Sequence, residues 1–240
     1  MTKKPIFHPT NLYFDDQSHL MFTAVDCIIF GFDGSELKLL IMKRKVEPFK
    51  QEWSLIGSFV HLNETVEEAS KRILSEATGL SDVYLEQSKV YSEVKRDPGY
   101  RCISIGMYAL IRNDQFYAVS EQNEYDSHWH SLDDLPKLVL DHKTMVVDAL
   151  EKLRSKVKYH PVGFELLPEK FTIPQLQKLY EVIIGEELDS RNFRKKMLSL
   201  GILQQLAEKD KSGSKKGAFL YQFDHKAYHE LVSSGFKFGV

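Results

Sequence analysis

The stretch from Gly57 to Leu80, GSFVHLNETVEEASKRILSEATGL, constrains the fold more than any other part of this chain. Thr65 and Glu68, three positions apart, form a capping box, in which each side chain satisfies a free backbone amide at the start of a helix. Gly79 tolerates the left-handed conformation that commonly ends a helix. The stretch therefore predicts a loop followed by a helix that starts after Thr65 and ends at Gly79.

This loop and helix resemble the Nudix box, the pyrophosphohydrolase signature G-x5-E-x7-R-E-U-x-E-E-x-G-U, in which U is a bulky aliphatic residue. The matching positions are Glu64, Arg72, Leu74, Glu76, Gly79 and Leu80. Three positions depart from the signature. Ser58 replaces the first glycine, Ile73 the glutamate after the arginine, and Ala77 the second glutamate of the final pair. Two of these departures remove a carboxylate.

The lost carboxylates bear on metal binding. Positions 73 and 77 are four apart and share one helix face. In working Nudix enzymes, the resemblance implies, this face gathers carboxylates around Mg2+, a cation that requires oxygen ligands. Ile73 and Ala77 supply none, whereas Glu64 and Arg72, which in the family tie the loop to the helix, persist. We therefore predict a Nudix scaffold with no catalytic residues, no metal site and no cofactor.

An ordinary amphipathic helix in an unrelated domain is the alternative, because Val66, Ala69, Ile73 and Ala77 also form an apolar stripe at helical spacing. The flanking segments favour the Nudix fold. A hairpin turn at Asp33-Gly34 separates the first two apolar runs, and a further helix is expected over residues 143–156. The predicted strands cover residues 22–32, 36–43, 53–60, 83–94, 101–111 and 129–132. Together they predict an α/β/α sandwich.

A second domain is expected after a proline-punctuated connector at residues 156–172. With a boundary near Tyr159, residues 1–158 form the first domain and residues 159–240 the second. Apolar residues from 176 to 184 repeat at helical spacing before Gly185, and Ser190 is the expected cap of the next helix, RNFRKKMLSL. A predicted hairpin, residues 202–206 with 218–223, follows. This order predicts a winged helix-turn-helix.

The charge distribution supports DNA binding by this second domain. Residues 191–216 contain eight basic and two acidic residues, a local charge of +6 in a chain of net charge -2. A basic helix face alone is often only a solvated surface, but a helix suits the DNA major groove and a basic wing suits phosphates. The residues expected to contact DNA are Ser190, Arg191, Asn192, Arg194, Lys195, Lys196, Lys211, Ser214, Lys215 and Lys216.

Both halves together resemble the Nudix-related transcriptional regulators, the NrtR and AraR-like family. The resemblance implies a homodimer whose Nudix domain senses a metabolite and whose winged helix binds a palindromic operator. One branch responds to ADP-ribose-like compounds and another, including the arabinose regulators, to pentoses. The lost metal carboxylates favour the pentose branch, with arabinose or xylose as effector. The expected ligand-binding residues are Lys43, Phe59, His61, Glu64, Arg96, Asp97 and Arg101.

Two other functions remain open. A hydrolase of ADP-ribose or a related nucleoside diphosphate compound would use Glu64, Glu76 and a carboxylate outside the box, and a module for RNA ends would show no sequence preference. The chain has no signal peptide-like run and no stretch of ~20 apolar residues, so we expect a cytoplasmic protein without membrane contact. Cys27 and Cys102 lie in apolar runs without a C-x-x-C pattern, which predicts buried, reduced thiols.

Overall fold

The structure, a computed structural model, describes residues 21–81, 83–112, 115, 125–212 and 216–234. Within these ranges the strands are β1 Phe22–Phe32, β2 Leu37–Lys43, β3 Trp53–Ser54, β4 Ile56–Phe59, β5 Tyr84–Tyr91, β6 Cys102–Ile111, β7 Ser127–Ser131, β8 Lys170–Thr172, β9 Leu203–Asp210 and β10 Ala218–Phe223. The helices are α1 Val66–Thr78, α2 His142–Tyr159, α3 Ile173–Ile184, α4 Ser190–Ser199 and α5 His225–Ser233.

Strand β1 is the centre of the first sheet, whose order is β3-β2-β1-β6-β5, with β4 paired to β1 and β7 paired to β2. It runs antiparallel to β2 across the predicted Asp33-Gly34 turn and parallel to β6. Alternate residues of β1 point to opposite faces. Ile28 and Phe30 pack in the hydrophobic cluster that contains α2, whereas Cys27 and Ile29 pack in the cluster that contains α1. The predicted α/β/α sandwich is confirmed.

The ends of α1 lie where the capping signals predict. The Glu68 amide donates to Thr65 Oγ1 at 3.2 Å, and the Thr65 amide donates to Glu68 Oε2 at 2.7 Å. Gly79 ends the helix with φ 71°. The predicted strand over residues 53–60 is instead two short strands, because Trp53 and Ser54 pair with β2 while Ile56–Phe59 pair with β1.

The second sheet has the order β8-β10-β9 and belongs to the winged helix. Thr172 and Gln175 form a capping box at the start of α3, and Gly185 ends that helix with φ 84°. Helix α4 differs from the prediction at its start, because Asp189 is the cap and Ser190 is the first helical residue. Within α4, Phe193 and Met197 are buried, whereas Leu198 is 37% exposed.

The predicted connector is part of the hydrophobic core. Helix α2 continues to Tyr159, so the predicted boundary falls at the end of a helix. Beyond it Val162, Phe164 and Leu166 are buried in the cluster that also contains residues of α2 and α3. The two domains therefore share one apolar core, and burial of this kind opposes free rotation between them.

Cys27 and Cys102 are buried free thiols, in agreement with the sequence-based prediction. Burial, followed by the charge of Asp26, raises the pKa of Cys27. Such a thiol stays protonated and unreactive at neutral pH. No helix in the described ranges combines the length and the apolar character needed to cross a membrane.

Candidate effector pocket and DNA-binding surface

A pocket of about 270 Å3 opens beside the loop that precedes α1. Its walls come from β1, β2, β4, the residues after β2 and the loop between β5 and β6. Three of the predicted ligand-binding residues, Phe59, Arg96 and Asp97, line it. We call it the effector pocket; its other lining residues are Ala24, Asp26, Met42, Arg44, Lys45, Val46, Ser54, Leu55, Gly57, Ser58, Cys102, Leu140 and His142.

The floor of the effector pocket is a buried charged cluster. Asp26 accepts a hydrogen bond from Ser104 Oγ at 2.6 Å, and its Oδ2 lies 3.6 Å from the Arg96 guanidinium. Arg96 also donates to both carboxylate oxygens of Asp141, at 3.0 and 2.7 Å. A side chain at Gly57 would place its Cβ 2.2 Å from Asp26 Oδ1. Only glycine therefore fits at position 57 while Asp26 keeps this place.

His142 completes the floor as a neutral imidazole. Its Nδ1 lies 3.0 Å from the Leu55 amide, which donates to it, so the ring proton belongs on Nε2. That nitrogen lies 3.7 Å from Asp26 Oδ1. Burial lowers the pKa of His142, although the nearby charge of Asp26 opposes the shift. The floor thus offers one imidazole N–H, one carboxylate and one guanidinium, a set suited to hydroxyl groups.

The lining of the effector pocket also includes two cations and one exposed aromatic ring, Phe59, which belongs to a small aromatic cluster. Arg44 and Lys45 line the pocket on the side of β2. On the side of β4, the Phe22 ring lies 5.2 Å from the Phe59 ring and 5.0 Å from the Tyr100 ring. These three rings are 46%, 46% and 66% exposed, respectively. A flat ligand ring can stack on these exposed rings, and stacking removes their apolar surface from water.

The other four predicted ligand-binding residues lie outside this lining, each for a local reason. The Glu64 carboxylate accepts two hydrogen bonds from Arg72, at 2.9 and 2.7 Å. His61 is an exposed loop residue whose Nδ1 lies 3.6 Å from Glu64. Lys43 packs 5.2 Å from the centre of the Trp53 ring. Arg101 donates to the carbonyl groups of Glu93 and Cys102 at 3.3 and 3.4 Å.

The box helix does not fit a divalent cation. Ile73 and Ala77, at 3% and 4% exposure, pack in the cluster between α1 and the sheet. Glu76 accepts a hydrogen bond from Tyr125 at 3.0 Å and lies 3.5 Å from Arg72. The Glu68 carboxylate accepts a hydrogen bond from the Thr65 amide in the capping box. The described residues contain no group of three or more potential metal ligands. The chemistry required by Mg2+ is therefore not assembled on this helix.

Helix α4 presents a polar face beside a rigid turn. Arg191, Asn192, Arg194 and Lys195 are exposed, and Lys196 is half-buried. The turn before α4 is held by α3, because the Gln177 amide contacts the Leu188 carbonyl at 2.9 Å and Ser190 Oγ at 3.0 Å. Glu181 Oε1 accepts from the Leu188 amide at 3.1 Å. Ser190, predicted to contact DNA, thus has a structural partner.

The wing, the β9–β10 hairpin, carries the second basic group. Lys211 and Lys216 are exposed, whereas the predicted contacts Ser214 and Lys215 lie outside the described residues. Arg194 reaches Tyr221 Oη at 3.4 Å, and this hydroxyl donates to Gln205 Oε1 at 3.1 Å. Arg194 of helix α4 is therefore connected to the wing through Tyr221.

Both halves of the chain match known protein families. The NUDIX domain family matches residues 21–149, and the NrtR DNA-binding winged helix domain family matches residues 163–223. The ADPR responsive transcriptional repressor NtrR of Acinetobacter baylyi is 33% identical over 209 residues, which cover 85% of this chain and 83% of that protein. This chain belongs to the NrtR family of transcriptional regulators.

Two further proteins resemble this chain, one in structure and one in sequence. Shewanella oneidensis NrtR, solved in complex with a 27mer DNA, has a TM-score of 0.79 at 26% identity and covers 90% of this chain and 97% of that chain. The ADP-ribose pyrophosphatase of Methanocaldococcus jannaschii is 38% identical over 125 residues, 52% of this chain and 70% of that enzyme. The predicted DNA-binding regulator is thereby confirmed. The pentose branch finds no support, because the Acinetobacter and Methanocaldococcus relatives are named for ADPR and ADP-ribose.

The sequence contained a signal for the pocket residues that the NrtR resemblance did not select. Asp26 is an acidic residue within an otherwise apolar strand, FTAVDCIIFGF, and a buried acid requires partners. Arg44 and Lys45 follow β2 directly. The partners of Asp26 lie 70 or more positions along the chain, at Arg96 and His142 among others, so no local pattern indicated that they meet.

Proposed function

We propose that this chain is an ADP-ribose-responsive transcriptional repressor that binds operator DNA as a homodimer. ADP-ribose joins an adenine ring, two riboses and a diphosphate. The observation that carries the proposal is that Arg44 and Lys45 line the effector pocket together with Phe59, whose exposed ring contacts Phe22. Cations suit a diphosphate and flat rings suit adenine, whereas a neutral pentose requires neither.

The size of the effector pocket agrees with partial enclosure of such a ligand. Pockets for drug-sized ligands span roughly 300–1,000 Å3, so a cavity of about 270 Å3 accommodates only one end. We assign the terminal ribose to the floor, where Asp26 and His142 offer an acceptor and a donor for hydroxyl groups. The diphosphate then reaches Arg44 and Lys45, and the adenine lies on the ring of Phe59 or Tyr100.

Calorimetry on the full chain tests the effector. We expect saturable binding of ADP-ribose and no binding of arabinose or xylose at equal concentration. Arg44→Ala should weaken ADP-ribose binding about tenfold or more, since a charge-assisted hydrogen bond contributes roughly 1.5–3 kcal/mol. The matched control is Lys71→Ala, which removes an exposed cation of α1. Saturable pentose binding, or equal ADP-ribose affinity in the two variants, would refute this assignment.

A hydrolase is the second candidate, because an ADP-ribose pyrophosphatase is 38% identical to this chain over 125 residues. The box helix argues against it, since positions 73 and 77 carry buried apolar side chains. We propose that the chain does not hydrolyse ADP-ribose in millimolar Mg2+ or Mn2+. A phosphate-release assay decides the question. Metal-dependent turnover that disappears in Glu76→Gln would identify an enzyme.

A further inference from the structure

A second cleft, of about 560 Å3, lies between the Nudix half and the winged helix. Its lining shares no residue with the effector pocket. The Nudix sheet contributes Tyr84 and Leu110, and the winged-helix side contributes Phe164, Glu165, Phe171 and Phe223. We call this the interdomain cleft. Its volume falls in the range of small-molecule sites.

Aromatic rings form the wall of the interdomain cleft on the winged-helix side. The rings of Phe164 and Phe223 stack with centroids 4.0 Å apart and an interplanar angle of 22°. Phe171 lies 5.9 Å from Phe164 and is fully buried. Tyr84 faces the cleft from the sheet. A flat organic molecule would therefore find apolar surface on both sides.

Among these rings stands one carboxyl group without its full set of partners. Glu165 Oε2 is buried, and no hydrogen bond reaches it from the described residues. A buried acceptor left without a donor costs free energy that a bound donor would restore. Burial, the largest cause, raises the pKa of Glu165, while backbone hydrogen bonds and the charges of His225 and Lys156 oppose the shift.

The other polar groups discussed in the cleft are exposed or already have interaction partners, which makes the Glu165 carboxyl the expected recognition group. Glu169 is exposed and accepts from the Gln222 amide at 2.8 Å. His225 is exposed and lies with its ring 4.8 Å from Phe223. Arg112 lines the cleft from the end of β6 and already interacts with other groups. Among the described lining residues, Glu165 is thus the one that combines a buried oxygen with an unused acceptor position.

We propose that the interdomain cleft binds a small planar organic cation, such as an aromatic amidinium or a protonated heteroaromatic amine, independently of the effector pocket. Its N–H groups donate to Glu165, and its ring lies against the wall formed by Phe164 and Phe223. Cation–π attraction and a charge-assisted hydrogen bond act together in this arrangement. Because the walls come from both halves, an occupant holds the two halves in one arrangement.

Benzamidine is the probe, because it is flat, cationic and carries two N–H groups on one side. Acetophenone is its matched neutral control, with the same number of heavy atoms and no N–H donor. We expect calorimetry or ligand-detected NMR on the full chain to give saturable benzamidine binding, with a Kd of about 1 mM or lower. Acetophenone should bind roughly tenfold more weakly or not at all.

Variants distinguish the cleft from any other site. Glu165→Gln keeps the shape and removes the charge, and we expect about a tenfold loss of benzamidine affinity. Glu169→Gln, the same change at the exposed rim, should leave affinity within about twofold. Phe223→Leu should weaken binding about threefold to tenfold by removing one ring, and it decides the matter if Glu165→Gln does not fold. Absent saturable binding, equal affinity in Glu165→Gln, or equal binding of acetophenone would overturn the proposal.

Discussion

At the scale of single residues, the Glu64–Arg72 pair holds the loop that precedes α1. Arg72 donates twice to the Glu64 carboxylate and once to the Phe59 carbonyl at 3.2 Å, while the His61 amide donates to Glu64 at 2.8 Å. The loop from Phe59 to Glu64 is thereby fixed against α1. Since Phe59 lines the effector pocket, a pair that does not touch the pocket still positions one of its walls.

The same pair predicts a pH dependence of stability. The hydrogen bonds from Arg72, and then from His61, lower the pKa of Glu64 from its ordinary 4.5 to about 2. Because the carboxyl is more acidic in the folded chain, its contribution is fully present above about pH 4.5 and is lost as the pH falls toward 2. Urea titrations should therefore show that Glu64→Gln destabilises the protein most near neutral pH and least near pH 2.

The control for this prediction is Glu151→Gln, which removes an exposed carboxylate of α2. It corrects for the general effect of one less negative charge. A constant difference in unfolding free energy between wild type and Glu64→Gln, from pH 7 to pH 2, would contradict the assignment.

A second prediction at this scale concerns Ile73 and Ala77. Restoring glutamate at both positions restores the Nudix signature but buries two carboxylates in an apolar cluster. The expected loss of unfolding free energy is roughly 5 kcal/mol or more. This is comparable with the whole stability of many domains. Thermal unfolding should show that Ile73→Glu with Ala77→Glu fails to fold, whereas Ile73→Leu stays near wild type. A stable double mutant would show that this face of α1 is more accessible than the structure indicates.

At the scale of elements, the ends of α1 and the stop of α3 were predictable because their signals are local. The caps of α1 and the stop of α3 depend on residues within a few positions of each other. The break between β3 and β4 was not predictable, since it results from pairing with two different strands. Asp26 and His142 in the floor of the effector pocket were missed for the same reason, because β1, α2 and the loop before β6 meet there only in the folded chain.

Helix α4 and the wing carry the DNA prediction. Arg191 and Asn192 are exposed in the first turn of α4, where side chains can read guanine and adenine edges. We expect Arg191→Ala or Asn192→Ala to relax base preference at one operator position by about 1–3 kcal/mol. Lys216→Ala in the wing should weaken binding to all DNA sequences alike. It should also reduce by about one unit the slope of log affinity against log salt concentration. Competition binding on operator and scrambled duplexes measures both effects.

Lys143→Ala is the matched control, since it removes an exposed cation at the start of α2, outside the winged helix. The assignment of α4 would fail if a triple alanine variant at Arg191, Arg194 and Lys195 kept full operator affinity. An oligomer measurement by analytical ultracentrifugation tests the expected homodimer on the same samples.

At the scale of the whole molecule, α2 connects the effector pocket with the winged helix. Asp141, its N-terminal cap, binds Arg96 in the floor of the effector pocket. Near its other end, Arg154 donates to the Ile183 carbonyl at 2.8 Å, at the C-terminus of α3. An 18-residue helix spans about 27 Å. The shared core around it was not evident from the proline-punctuated connector, because the apolar residues there find their partners only across the domain boundary.

This connection predicts that ADP-ribose, the proposed effector, and operator DNA change each other's affinity. We expect ADP-ribose to lower operator affinity, by about 5- to 150-fold, and operator DNA to lower ADP-ribose affinity by the same factor, because coupling between two binding equilibria is reciprocal. Arg154→Met should bring both factors toward one, since it removes the α2–α3 hydrogen bond while leaving both binding surfaces intact. Lys158→Met, an exposed position on the last turn of α2, is its control. Calorimetry that returned equal ADP-ribose affinities with and without operator DNA would exclude this form of regulation.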